Sequence, residues 1–159
     1  QVVTMNDYQE TRFVRNMLHS MFNTIANKRI AIFGFAFKAD TGDTRESPAI
    51  RVCRELASEH AKVVVSDPQA LDNARLELPE LVDQIEFEED PYKAAEGAHA
   101  IAVMTEWKQY KELDYQRIYD SMVQPAFIFD GRNMLDHEAL FAIGFEVYSI
   151  GKGYLTHLK

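Results

Sequence analysis

Apolar residues near the start of the chain recur at three- and four-residue steps: Phe13, Val14, Met17, Leu18, Met21, Phe22 and Ile25. This is the stripe of an amphipathic helix. Asn6 and Asp7 are suited to cap its first free amides, and the stripe predicts a helix running to about Ile25. The pattern then changes. Arg29 opens RIAIFGFAF, a continuous apolar run of the kind a strand buried on both faces requires. The polar, turn-rich segment KADTGDTRE follows, and then SPAIRVCRELASEH. Ser47 as cap and Pro48 at the first helical position predict a helix start there.

The alternation continues to the end of the chain. KVVVSD, QIEF, HAIAVMT, AFIFDG and FEVYSIG read as strands. Pro91 to Glu96, LDYQRIYDSMV and DHEALFAIG read as helices. The second of these is capped by Asp114 and places Leu113, Ile118 and Met122 on one face; the third ends at Gly144. Residues 68–83 show no clear period and read as loop with one helical turn at most. Short apolar strands alternating with helices of about ten residues imply βαβ units, hence an α/β domain on a doubly wound parallel sheet. No internal repeat, low-complexity stretch or long linker divides it.

Composition narrows the function classes. A chain of 159 residues suits one domain with one substantial core. The formal charge of −8 argues against nucleic acid as a partner, since a phosphate backbone needs a basic face. No apolar run approaches the roughly 18 residues of a membrane span. The single cysteine, Cys53, cannot form an internal disulfide and fits a reducing, cytoplasmic setting. The histidines at 19, 60, 99, 137 and 157 are scattered, so no zinc site is expected. The first residue is Gln1 and a helical pattern begins almost at once, which suggests a piece of a longer chain.

Ligands of open parallel sheets bind beyond the carboxyl ends of the strands, and three such loops stand out. GFAFKADTGDTRES is long for a strand-to-helix connection, where about 2–6 residues is typical. It contains Lys38, a point charge, and Arg45, a planar fork for phosphate, and it leads into a helix start that offers amides to an anion. Asp40, Asp43 and Glu46 share the loop, so on composition alone it reads first as a solvated segment whose charges offset one another. Gly34, Ala36 and Gly42 do not form GxGxxG, and Asp67 after the second strand is weak support for a dinucleotide site. In FDGRN, Arg132 follows Gly131 at a strand end; it faces either the crevice or a surface turn. Trp107, after Thr105 and Glu106, could stack on a base or sugar, with packing the better reading. Cys53, in RVCRELA, reads as structural, because a reactive thiolate wants an exposed, electropositive place.

GFAFKADTGDTRESPAI, DPYKAAEGAHAIAVMTEW, YKELDY and PAFIFDGRN, in this order and spacing, resemble the C-terminal, UDP-binding domain of the UDP-glucose 6-dehydrogenases. The opening MNDYQ resembles the end of the helix that joins the two halves of those enzymes. The resemblance covers nearly the whole chain and is weakest between Gln69 and Glu86. It implies a Rossmann-like domain over residues 27–159, with residues 1–26 continuing a helix from an upstream domain. It implies oxidation of UDP-glucose to UDP-glucuronate in two NAD-dependent steps through a covalent intermediate on a catalytic cysteine. By the same resemblance Phe37, Lys38 and Arg132 contact the UDP-sugar, and Arg45 reaches an NAD held mainly by the upstream domain. The whole enzyme is expected to be a homo-oligomer. Cys53 matches no catalytic position, so this chain alone is expected to be inactive. GDP-mannose and UDP-N-acetylmannosamine dehydrogenases share the FK and RESP elements, and a non-catalytic nucleotide-binding or assembly module is the rival of another class.

Overall fold

The computed structural model describes residues 7–36, 47–150 and 153–158. Six strands form one sheet: β1 (Arg29–Phe33), β2 (Lys62–Ser66), β3 (Glu86–Phe87), β4 (Ala100–Val103), β5 (Phe127–Asp130) and β6 (Glu146–Ser149). Their order is β3-β2-β1-β4-β5-β6, and every named pair is parallel. The chain therefore starts in the middle, builds outwards to one edge, returns to β4 beside β1 and builds to the other edge. In open parallel sheets, ligands bind at such a reversal, which here lies beyond the carboxyl ends of β1 and β4.

Strand residues alternate between two cores because successive side chains point to opposite faces. Ile30, Ile32, Val63, Val65, Phe127 and Phe129 pack with helices α1 (Asp7–Ser20), α2 (Pro48–Ser58) and α3 (Leu71–Glu77). Ala31, Phe33, Val64, Ile101, Val103 and Ile128 face α4 (Pro91–Ala95), α5 (Tyr115–Ser121) and α6 (His137–Ile143). Both faces of the sheet are covered, which is why the strands read as unbroken apolar runs.

Caps agree with the chemistry of their residues. Ser47 Oγ accepts from Ala49 N at 3.2 Å and Pro48 is the first residue of α2. Asp90, Asp114 and Asp136 cap α4, α5 and α6 in the same way. Gly144, at φ +136°, closes α6 in a conformation that L side chains rarely adopt.

Two stretches differ from the expectation. Helix α1 stops at Ser20, not near Ile25. Phe22 and Asn23 both adopt φ +65°, and Asn23 N bonds Leu18 O at 2.8 Å, so the chain leaves the helix through a left-handed turn. The turn brings Ile25 back to the core with Met21, while Phe22 is left 58% exposed; a regular spacing of apolar residues outlived the helix that suggested it. Residues 68–83 contain the two-turn helix α3 and a 3-10 turn at Pro79–Leu81. Their buried residues, Ala70, Ala74 and Leu78, do recur every four positions, but two are alanines, and so small a stripe is easily missed. A further 3-10 turn, Lys108–Lys111, was not expected; it buries Tyr110, whose ring stacks on Phe33 at 5.3 Å between centroids.

Candidate functional site

Three loops converge at the crevice, and two glycines let them do so. A Cβ on Gly34 would stand 2.4 Å from the Thr105 Cβ, and its φ of +97° already demands glycine. A Cβ on Gly131 would stand 2.8 Å from Val103 O. The chain leaving β1 is thus pressed against the end of β4, and the chain leaving β5 against β4 from the other side. Thr105 Oγ1 donates to Ala36 O at 2.7 Å, which locks the first of these contacts.

Asp67 ties the same loops from below. Its carboxylate, 1% exposed, accepts on Oδ2 from Phe35 N at 2.7 Å, Ala36 N at 3.1 Å and the Trp107 indole at 3.2 Å. Oδ1 accepts from Gln69 N and Ala70 N, both at 2.8 Å. A carboxylate has about four lone-pair sites; with five donors on it, none is left for a ribose hydroxyl. The described residues therefore do not fit a dinucleotide at this strand end, whatever the position of Asp67 suggests. Trp107, 4% exposed, is committed to packing and to this bond and does not offer a face to a ligand.

At the end of β5, Asp130 plays the same structural part. It is fully buried. Oδ1 accepts from Arg132 N at 3.1 Å, and Oδ2 from Met134 N and Leu135 N, each at 2.9 Å, with His137 Nε2 at 2.8 Å. Asn133, at φ +53°, donates from Nδ2 to Ile150 O at 2.7 Å. The backbone of the Arg132 turn is fixed on both sides.

The Arg132 side chain turns towards β4, where Nη2 meets Glu106 Oε1 at 2.7 Å. Of the expected contact residues, Arg132 alone can be located; Phe37, Lys38 and Arg45 lie outside the described residues. Neither Glu106 nor Asp130 belongs to the residues the sequence pattern singles out for a role. The signal available was an acid following an apolar strand run, with glycine next to it in FDG. Cys53 is fully buried on α2, and burial pushes its thiol well up, away from thiolate. Among the described residues no group of three or more His, Cys, Asp and Glu side chains converges as a metal site, and no helix is long and apolar enough to cross a membrane.

Known proteins give this geometry a family. The model of the UDP-glucose/GDP-mannose dehydrogenase family, UDP binding domain, matches residues 31–137. Over 177 aligned residues the chain is 48% identical to UDP-glucose 6-dehydrogenase 1 of Oryza sativa subsp. japonica, covering all of this chain and 37% of that protein. A UDP-glucose dehydrogenase from the archaeon Pyrobaculum islandicum matches in structure with a TM-score of 0.70 at 26% identity, over 90% of this chain and 29% of its own. The UDP-D-ManNAc dehydrogenase from Pyrococcus horikoshii matches with a TM-score of 0.69 at 26% identity, over 91% of this chain and 30% of its own. The chain thus spans little more than a third of the length of its rice relative. On its sheet order, on the loops gathered beyond β1, β4 and β5, and on these likenesses, the chain belongs to the UDP-glucose/GDP-mannose dehydrogenase family, of which it is a UDP binding domain.

Proposed function

We propose that this domain holds the UDP part of UDP-glucose and presents the sugar to the rest of a dehydrogenase that oxidises it to UDP-glucuronate with NAD. The observation that carries the reading is Arg132. A guanidinium whose backbone is pinned by Asp130 stands at the switch-point crevice, where a phosphate is best met by a planar, charged fork. Phe37 and Lys38 complete the sugar-nucleotide contact in this reading. Arg45 reaches the NAD, which is held mainly outside this chain, in keeping with the saturated Asp67 carboxylate. Placing substrate against a nucleophile and cofactor supplied elsewhere is an orientation effect, and such effects can lower a barrier by several kcal/mol.

The test is Arg132→Ala in the complete protein. Losing one charge-assisted contact removes about 1.5–3 kcal/mol. That corresponds to roughly ten- to hundredfold weaker UDP-glucose binding, with little change for NAD. Steady-state kinetics with each substrate varied in turn reads both; an unchanged constant for UDP-glucose rejects the site. The likeness to a UDP-D-ManNAc dehydrogenase supports a second reading for the sugar alone, and turnover with UDP-N-acetylmannosamine exceeding that with UDP-glucose would select it.

A further inference from the structure

We infer that Glu106 is the built-in counter-ion of the anion seat on Arg132, and that a bound diphosphate displaces it. The inference rests on the reading that Arg132 receives the nucleotide. Glu106 Oε1 stands 2.7 Å from Arg132 Nη2, and among the described residues it is the guanidinium's one ion-pair partner. The two side chains are unequal: Arg132 is 11% exposed and Glu106 45%. The cation is the more buried of the two and the carboxylate the more open to solvent. An incoming phosphate meets the carboxylate first.

The surroundings allow the carboxylate to leave without disturbing the fold. Residues on both sides of Glu106 are anchored, Thr105 through its bond to Ala36 O and Trp107 through its bond to Asp67. The Arg132 turn is held by Asp130 and by Asn133. Only the Glu106 side chain has to move, by rotation into water that already covers nearly half of it. A phosphate oxygen and a carboxylate oxygen are equivalent acceptors for an arginine N–H. While Glu106 stays in place, however, the pair is neutral and the carboxylate repels the ligand. Exchange restores one cation facing one anion. Glu106 thereby tunes affinity downwards, and it makes the seat selective for ligands charged strongly enough to expel it.

Substitutions at these two touching residues should change affinity with opposite signs. Glu106→Gln in the complete protein keeps the size and removes the charge, and UDP should bind about three- to fivefold tighter by titration calorimetry, the upper part of the range expected from an ion pair of this exposure. Glu106→Ala should move in the same direction, and circular dichroism confirms that each variant is folded. In an Arg132→Ala background the Glu106→Gln gain should vanish to within twofold, because nothing remains to be exchanged. A weaker or unchanged UDP affinity in both Glu106 variants overturns the inference and makes Glu106 a brace or a bystander. A gain that persists without Arg132 also overturns it, since it would be a general effect of charge. If Arg132→Ala by itself leaves UDP binding unchanged, the ligand does not use this seat and the functional reading falls too. With the Arg132 effect present and the Glu106 effect missing, only the exchange falls.

Discussion

Replacing Asp67 by asparagine alters a single atom of the side-chain terminus and unsettles three loops. Five donors converge on the native carboxylate, three on Oδ2 and two on Oδ1. The best asparagine rotamer turns its oxygen towards Phe35 N, Ala36 N and the Trp107 indole, and so turns its NH2 against Gln69 N and Ala70 N. Gln69 is exposed and its amide can turn to water, but Ala70 is fully buried and its amide cannot. One unsatisfied buried donor accounts for about 1–3 kcal/mol, and the three remaining bonds lose the strength that a charged acceptor conferred. We expect Asp67→Asn to destabilise the 159-residue chain by about 2–4 kcal/mol. At this size that lowers the melting temperature by roughly 5–15 °C. Asp72→Asn is the control: Asp72, on α3, is 99% exposed and pairs with Arg75 at the surface, so its loss should stay below about 0.5 kcal/mol. Urea unfolding followed by circular dichroism measures both. Equal midpoints for the two variants would refute the claim that Asp67 is the pin of the crevice.

The remaining predictions concern other parts of the molecule. Gly34→Ala places a methyl group 2.4 Å from the Thr105 Cβ at φ +97°, so it should lower the melting temperature markedly; a normal transition would mean that the β1 loop does not press on β4 as described. The Cys53 thiol, fully buried and pushed towards its neutral form, should react with a thiol reagent at pH 8 only as fast as the fold opens, and Cys53→Ala should leave turnover of the complete protein within a few-fold of normal; abolished turnover in a folded variant rejects the structural role. His99 is held below its ordinary value of 6.5, first by burial and then by the Lys28 charge. Its folded form therefore disfavours the proton. The stability it contributes is present above pH 6.5 and is lost as pH falls through the lower folded value. The difference in unfolding free energy between wild type and His99→Gln should change over that window, and a difference independent of pH contradicts the direction.

Much of the architecture was legible in the order of residues. Buried parallel strands must be apolar on both faces, so RIAIF, KVVVS, AIAV and FIFD announce themselves, and caps such as Ser47 before Pro48 and Asp114 mark helix starts by their own hydrogen-bonding chemistry. These features depend on residues close to one another in the chain. The end of α1 was not legible, because Met21 and Ile25 remain buried through a left-handed turn as they would along a helix. Helix α3 was hidden by a stripe with two alanines among its three buried residues.

The site divides along the same line. Arg132 was visible as a cation after a glycine at a strand end, and the family motifs assigned it a ligand. What the tertiary structure decided is which groups are already occupied. Asp67 stands where a ribose-binding acid stands in a dinucleotide site, yet it is filled by amides and an indole brought from residues 35, 36, 69, 70 and 107. Trp107 is turned inwards for the same reason, and Glu106 meets Arg132 across a gap of 26 residues. Local sequence fixes which donors and acceptors a loop contains; which of them remain open to a ligand depends on partners that only the folding of distant strands side by side can supply.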